Sequence, residues 1–383
     1  MKFANAFRCV LTLSFGLVFA ICPAVGGTPD SWQGKVDGLV KPLIEQETIF
    51  GSVVGLVTAD GKREFYCFGK TKAEGPEPTP ETLFEIGSVS KTFTTLLLAL
   101  MVESGEVKLD DPVRLLLPTE WTMPKRGARE VTLLELATHS SGLPENPPNL
   151  VRALIKDNSV QLDPFANFDR KQLTDCLAEI KLKDVDKPPV AYSNLGMGLL
   201  GEALMLKTGK SYDLLIRSQV SEPLNMKDTV VIPSKDQDMR TATGHGDKGK
   251  ELPCWTFASL AGAGAIRSTA TDMLTYLEAQ SGRTATPLAS AMVATQEKRK
   301  SAFVIMSVGL GWFIRDYGEH QVWWHNGGTN GFTTFVAFCR KPAVAVVVLC
   351  NTGPDGLKDG QVIDKLGENL IRQLVETESK PKE

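Results

Sequence analysis

The tetrapeptide Ser88-Val89-Ser90-Lys91 runs straight into Thr92-Phe93-Thr94-Thr95-Leu96-Leu97-Leu98-Ala99-Leu100-Met101, and this junction constrains the chain more than any other feature. The apolar run reads as a helix buried on most of its surface. It therefore draws Lys91, one turn after Ser88 and on the same helix face, into the interior. Burial disfavours an ammonium and lowers a lysine pKa, so a neutral amine becomes available near pH 7 to take a serine proton. The positive end of the helix pushes the same way and favours a nearby oxyanion. An S-x-x-K match by itself is weak, since it is equally read as a helix-start serine beside a solvated lysine.

Two further motifs strengthen the reading. Tyr192-Ser193-Asn194 precedes Leu195-Gly196-Met197-Gly198-Leu199-Leu200-Gly201-Glu202-Ala203-Leu204, a second buried helix with small residues for close packing. A tyrosine beside a serine and a lysine can relay a proton to a leaving group, and Asn194 offers a donor and an acceptor. Read blandly, Asn194 only caps the helix. His325-Asn326-Gly327-Gly328 lies between strand-like runs, Gln321 to Trp324 and Thr333 to Phe338. Glycines at a strand edge let a ligand approach closely. The bland alternative is a hairpin turn over Gly327-Gly328-Thr329-Asn330-Gly331.

In this order the three motifs resemble the serine β-lactamase and penicillin-binding family, and most closely its class C β-lactamase-like hydrolases. Those include DD-carboxypeptidase and esterase relatives. Leu83 to Thr94, Leu136-Ala137-Thr138-His139-Ser140-Ser141-Gly142-Leu143-Pro144, Glu222 to Met226 and Gly262 to Met273 are also similar to family segments. The resemblance implies Ser88 as nucleophile, with Lys91 and Tyr192 managing its proton. It implies an oxyanion hole from the backbone N–H groups of Ser88 and Gly328. Asn194 is expected to hydrogen-bond Lys91 and a substrate amide, and Asn146 stands where class C enzymes carry an amide side chain for the same task. Substrate contacts are thus expected from Asn146, Asn194, His325, Asn326, Gly327 and Gly328. The family pattern at the last motif is Lys-Thr-Gly, where lysine supplies a fixed charge for a substrate carboxylate. Here His325 is expected to be fractionally charged near pH 6.5. The leading expectation is an exported hydrolase of β-lactams or D-Ala-type peptide amides acting through an acyl-serine. The alternatives are a carboxylesterase with the same machinery and a penicillin-binding sensor that stays acylated.

Of the fold, Gly51 to Thr58 and Arg63 to Gly69 read as strands joined at Asp60-Gly61, a hairpin signal. Residues 105–264 alternate loops and short helices, with candidates at Val151 to Ile155, Lys171 to Ile180 and Tyr212 to Val220. Strands return at Val308 to Ile314, Gln321 to Trp324, Thr333 to Phe338 and Ala343 to Cys350. A last helix spans Gly360 to Glu376 at helical apolar spacing. The expected class is α/β (α+β): an antiparallel sheet with helices on both faces (about 28–104 and 265–378) and an inserted all-helical subdomain (about 105–264). Residues 28–378 form one β-lactamase-like unit, and 379–383 read as a disordered tail.

Lys2 and Arg8 precede an apolar stretch, Cys9 to Cys22, followed by small residues at Ala24 and Gly26. Residues 1–27 read as a cleavable export signal, too short for a comfortable membrane span. A periplasmic or secreted protein is expected, with no stable span after cleavage. The net charge of −3 without a basic run gives no footprint for nucleic acid. Five dispersed cysteines remain after Cys22. Cys339 and Cys350 are near enough in sequence to pair, although core packing suits both. The four histidines lack metal-ligand spacing, so no metal and no cofactor is expected. The partner is a small-molecule or peptidoglycan-peptide substrate; the oligomeric state is not legible.

Overall fold

The computed structural model describes residues 31–157, 162–303 and 305–378. The segment read as an export signal and the tail 379–383 lie outside these residues.

Eight strands form one antiparallel sheet: β1 (Gly51–Val57), β2 (Arg63–Gly69), β3 (Lys300–Phe303), β4 (Met306–Val308), β5 (Phe313–Tyr317), β6 (His320–Gly328), β7 (Thr333–Arg340) and β8 (Ala343–Cys350). Their spatial order is β2-β1-β8-β7-β6-β5-β4-β3, so the N-terminal hairpin docks onto the last strand of the chain. β8, Ala-Val-Ala-Val-Val-Val-Leu-Cys, lies between β1 and β7. Its β-branched side chains pack on both faces, which is why it reads as a continuous apolar run.

The N-terminal helix (Trp32–Glu45) and the C-terminal helix (Val362–Glu378) share one apolar layer with Val54, Val346, Val348 and Phe335 on one sheet face. On the other face a larger layer joins Val53, Val347 and Leu349 to the nucleophile helix (Ser90–Glu103) and the Ala270–Ser281 helix. This layer continues into the helical middle region through Leu136, Leu173, Leu199 and Leu200. The nucleophile helix is thus enclosed between sheet and helices. The helices at 148–156, 170–179 and 212–216 match the short ones expected in that region.

Two expectations change. Val308 to Ile314 is not one strand: Gly309-Leu310-Gly311 breaks it into β4 and β5. Gly311 (φ +71°) turns the chain in against the nucleophile helix, where Thr95 Oγ1 donates to Leu310 O at 2.9 Å. A Cβ on Gly311 would lie 2.5 Å from Thr95 Oγ1, so glycine is required by both conformation and space. The hairpin over Gly327 to Gly331 is shifted: His325 to Gly328 end β6, paired in register with Val336, Phe335, Thr334 and Thr333, and the turn follows at Thr329 to Phe332, where Thr329 N–H donates to Phe332 O at 3.0 Å. All five described cysteines are free, so Cys339 and Cys350 pack rather than pair.

Candidate active site

Every residue from Thr82 to Ala99 is buried except Ser88, which is half-exposed. It sits in a short 3-10 turn (Gly87–Val89) that enters the nucleophile helix. Ser90, the other serine of the motif, is structural: its Oγ accepts from Ile266 N–H at 3.1 Å and pins the helix start to the chain beside it.

Lys91 is fully buried. Its Nζ donates to Ser88 Oγ at 2.8 Å and to Ala263 O at 2.6 Å, and lies 4.9 Å from the centre of the Tyr192 ring. A buried ammonium costs several kcal/mol unless partnered. The carbonyl and the aromatic face, the latter worth about 2 kcal/mol when desolvated, offset that cost.

Tyr192 and Asn194 are delivered by a turn strapped to the 139–146 stretch. Ala191 N–H donates to His139 O at 2.7 Å, Ser193 Oγ to Pro144 O at 2.7 Å, and Asn194 N–H to Glu145 O at 2.8 Å. Asn194 then opens the helix Asn194–Thr208, capped by Ser193 Oγ accepting from Gly196 N–H at 2.8 Å. Asn194 Nδ2 donates to Asn146 Oδ1 at 3.0 Å, so the two amides expected to serve one purpose do meet.

β6 reaches Ser88 through its glycines. A Cβ on Gly327 would lie 2.1 Å from Ile86 O and 3.2 Å from Ser88 N; one on Gly87 (φ +49°) would lie 2.7 Å from Gly328 N. Only hydrogen at both places allows the two backbones to touch. Pairing between β5 and β6 stops at Trp324, so His325 to Gly328 have no strand partner on the β5 side. That edge offers backbone donors and acceptors beside Ser88.

His325 does not behave as expected. It is completely buried, and desolvation, reinforced by the nearby Lys91 charge, pushes its pKa down to about 3. The ring is neutral across the physiological range, not partly charged near pH 6.5. Its Nδ1–H donates to its neighbour Asn326 O at 2.5 Å, which leaves Nε2 unprotonated and buried with no hydrogen-bond partner among the described residues. Asn326 also departs from expectation. The pleat sends it to the opposite face, level with Phe335, and its Nδ2 donates to Asp364 Oδ2 on the C-terminal helix at 2.8 Å. Its amide is thus committed to a helix rather than to the cleft. Burial pushes the Asp364 carboxyl up to about 7.

Two residues gain a place at the site only from the structure. His139 (φ +54°) packs on Tyr192 with ring centres 4.5 Å apart, and its Nδ1 accepts Ser193 N–H at 3.2 Å. Desolvation, then the Lys91 charge, holds its pKa well below the usual histidine range. Glu85 is a lone charge inside Leu83-Phe84-Glu85-Ile86, and it is buried three residues before Ser88. A charge within an otherwise apolar strand was the signal available for it. Among the described residues no group of three or more His, Cys, Asp or Glu could hold a metal, and no helix is long and apolar enough to cross a membrane.

An antiparallel sheet covered by helices, with this Ser-Lys-Tyr arrangement between its layers, is the architecture of serine hydrolases of the class C type. The sequence profile described as Beta-lactamase matches residues 36–367, and the chain belongs to that family. It is 28% identical over 330 residues to the D-alanyl-D-alanine-carboxypeptidase/endopeptidase AmpH of Escherichia coli K12, covering 80% of this chain and 83% of that one. It is 27% identical over 353 residues to a β-lactamase of Pseudomonas fluorescens, covering 82% and 92%. The crystal structure of a class C β-lactamase from Rhodobacter sphaeroides superposes with a TM-score of 0.73 at 27% identity, over 89% of this chain and 99% of that one.

Proposed function

We propose that this protein is an exported serine hydrolase that cleaves D-Ala-type peptide amides or β-lactams through an acyl-Ser88 intermediate. The observation that carries the reading is the 2.8 Å contact between Lys91 Nζ and Ser88 Oγ, at the one solvent-reaching position of a buried segment. With the amine neutral, the same contact lets Nζ accept the hydroxyl proton as Oγ attacks the carbonyl carbon. The Ser88 and Gly328 N–H groups would stabilise the oxyanion. On collapse the carbon–nitrogen bond breaks, and the leaving amine takes the proton from Tyr192 or Lys91. Water then cleaves the ester to Ser88. Asn194 and Asn146 spend one acceptor and one donor on each other, which leaves Asn194 Oδ1 and Asn146 Nδ2 to hold a substrate amide. The AmpH-like relative, named for its action on D-alanyl-D-alanine, supports a peptide substrate here. Lys2, Arg8 and the apolar run before Pro23 support export.

One observation favours hydrolysis of neutral carboxylic esters as a second reading. His325 is neutral and Asn326 is turned away, so the position where Lys-Thr-Gly relatives carry a fixed charge offers none. The histidine pKa is depressed, so protonation comes only far below pH 5.5. For a carboxylate-bearing substrate, KM is therefore expected to stay flat from pH 8 to 5.5. A fall in KM through about pH 6.5, absent in His325→Gln, would show that the ring charges after all.

The deciding experiment is intact-mass spectrometry of the mature protein after incubation with penicillin, with a peptide ending in D-Ala-D-Ala, and with p-nitrophenyl acetate, while turnover is followed in parallel. A Ser88 adduct with release of D-Ala or opened β-lactam supports the first reading, and ester turnover alone supports the second. A lasting penicilloyl adduct without turnover indicates a sensor. Neither adduct nor turnover with any of the three removes Ser88 chemistry. The same spectrum reads the mature N-terminus: cleavage near Gly26 or Gly27 supports export by signal removal, and a retained Met1 contradicts it.

A further inference from the structure

Glu85 is buried, yet its side chain is used by two segments that lie far from it in sequence. Thr329 Oγ1–H donates to Oε2 at 2.7 Å and Trp255 N–H donates to Oε1 at 2.5 Å. Thr329 directly follows Gly328 at the end of β6. Trp255 belongs to a loop whose rings pack as a group with Phe165 and Phe257, the latter two stacked with centres 4.8 Å apart. The Phe257 ring edge lies 3.4 Å from where a Cβ on Gly264 would sit, and that same point is 3.7 Å from the Gly87 carbonyl carbon. Glu85 itself is three residues from Ser88, in a two-residue strand paired with Arg267-Ser268. Its backbone carbonyl takes a third bond, from Thr334 Oγ1 of β7 at 3.3 Å. One carboxylate thus joins the short strand that leads into the Ser88 turn, the strand end beside it and the aromatic loop.

We infer that Glu85 is a positioning residue for acyl transfer: by gripping Thr329 and Trp255 it sets the distance between the Ser88 and Gly328 N–H groups and the place of the aromatic wall beside them. The inference rests on the reading of Ser88 and Gly328 given above. Charge-assisted bonds to a carboxylate are about twice as strong as neutral ones and hold direction well. No substitution of smaller shape bridges both partners. The sequence alone offers only the glutamate, because Thr329 and Trp255 reach it across 244 and 170 positions.

The groups facing Glu85 are the Arg267 guanidinium on the paired strand, the Asp163 carboxylate, and the thiol of Cys254, which shares a hydrogen bond with it. Desolvation outweighs the Thr329 bond, the Arg267 charge and the Trp255 N–H, and lifts the carboxyl to about 7. The gripping form is the carboxylate, so its contribution to rate grows as pH rises through about 7 and fades below.

The test is single-turnover acylation and steady-state kinetics of the full protein with penicillin or p-nitrophenyl acetate, whichever acylates the wild type. Glu85→Gln and Thr329→Val are each expected to lower kcat about tenfold or more, short of the 10²–10³ lost with a whole oxyanion donor, with KM changed less than threefold. Glu85→Gln should also lose the rise in kcat near pH 7. The double variant should be no slower than the slower single, since both cut the same link, and Thr329→Ser should recover most of the rate lost in Thr329→Val. Thermal unfolding of each variant separates rate from stability. Should Glu85→Gln not fold, Thr329→Val and Thr329→Ser decide alone. Unchanged kcat in Thr329→Val, multiplicative losses in the double variant, or a wild-type pH profile in Glu85→Gln overturns the inference while leaving Ser88 acylation intact. A wild type that shows neither adduct nor turnover removes both.

Discussion

Ser88→Ala is expected to abolish covalent acylation and to lower turnover by about 10⁶, the loss seen when a serine nucleophile is removed from an acyl-transfer site. The fold should persist. Ser88 is half-exposed, and its neighbour Ser90, not Ser88, supplies the bond that pins the helix start. The variant also leaves Lys91 its bond to Ala263 O and its place against the Tyr192 ring. Unfolding temperature within a few degrees of wild type, with no mass shift on incubation with any acyl donor, is the expected pair of results. Stoichiometric labelling that survives in Ser88→Ala would falsify the assignment and move the nucleophile elsewhere.

Gly327→Ala is expected to cost about 10²–10³ in the rate of acylation, the price of one misaligned oxyanion donor. The added methyl would sit 2.1 Å from Ile86 O and 3.0 Å from Ile86 C, both backbone atoms that no rotamer change can clear. Either β6 withdraws from the nucleophile turn or residues 86–88 shift, and both separate the Ser88 N–H from the Gly328 N–H. A lowered unfolding temperature should accompany the loss, since a strand end buried against the turn must part from it. Gly38→Ala is the control. It lies in the N-terminal helix with nothing within 4 Å of the new methyl, so activity should be unchanged. A Gly327→Ala protein with wild-type acylation kinetics would show that close approach of these backbones is not needed.

The local parts of the site were legible because local chemistry writes them. An apolar run after Ser-x-x-Lys forces the lysine inside, and the structure buries it fully, 2.8 Å from Ser88. Tyr192-Ser193-Asn194 before a small-residue helix predicted a helix start, and Ser193 caps that helix. The hairpin at Asp60-Gly61, the central strand β8 and the C-terminal helix follow from turn residues and from periods of two and of about 3.6. The reading of β4 and β5 as one strand failed because apolar content alone does not reveal a turn. Gly309 and Gly311 are there to admit Thr295 and Thr95, and those partners come from helices elsewhere in the chain.

The sequence by itself determined which side chains this protein offers for the proposed acyl transfer and which short segments present them. Spacing within one helix turn or one cap is a property of neighbouring residues, and it survives whatever the rest of the chain does. Tertiary structure alone decided how those side chains are charged and aimed. Assembly of the sheet buries His325 beside Lys91 and makes it neutral. The pleat turns Asn326 to Asp364. Packing of two distant segments around Glu85 makes a buried charge into a clasp. Desolvation and direction depend on atoms brought in from hundreds of positions away, and no local pattern encodes them.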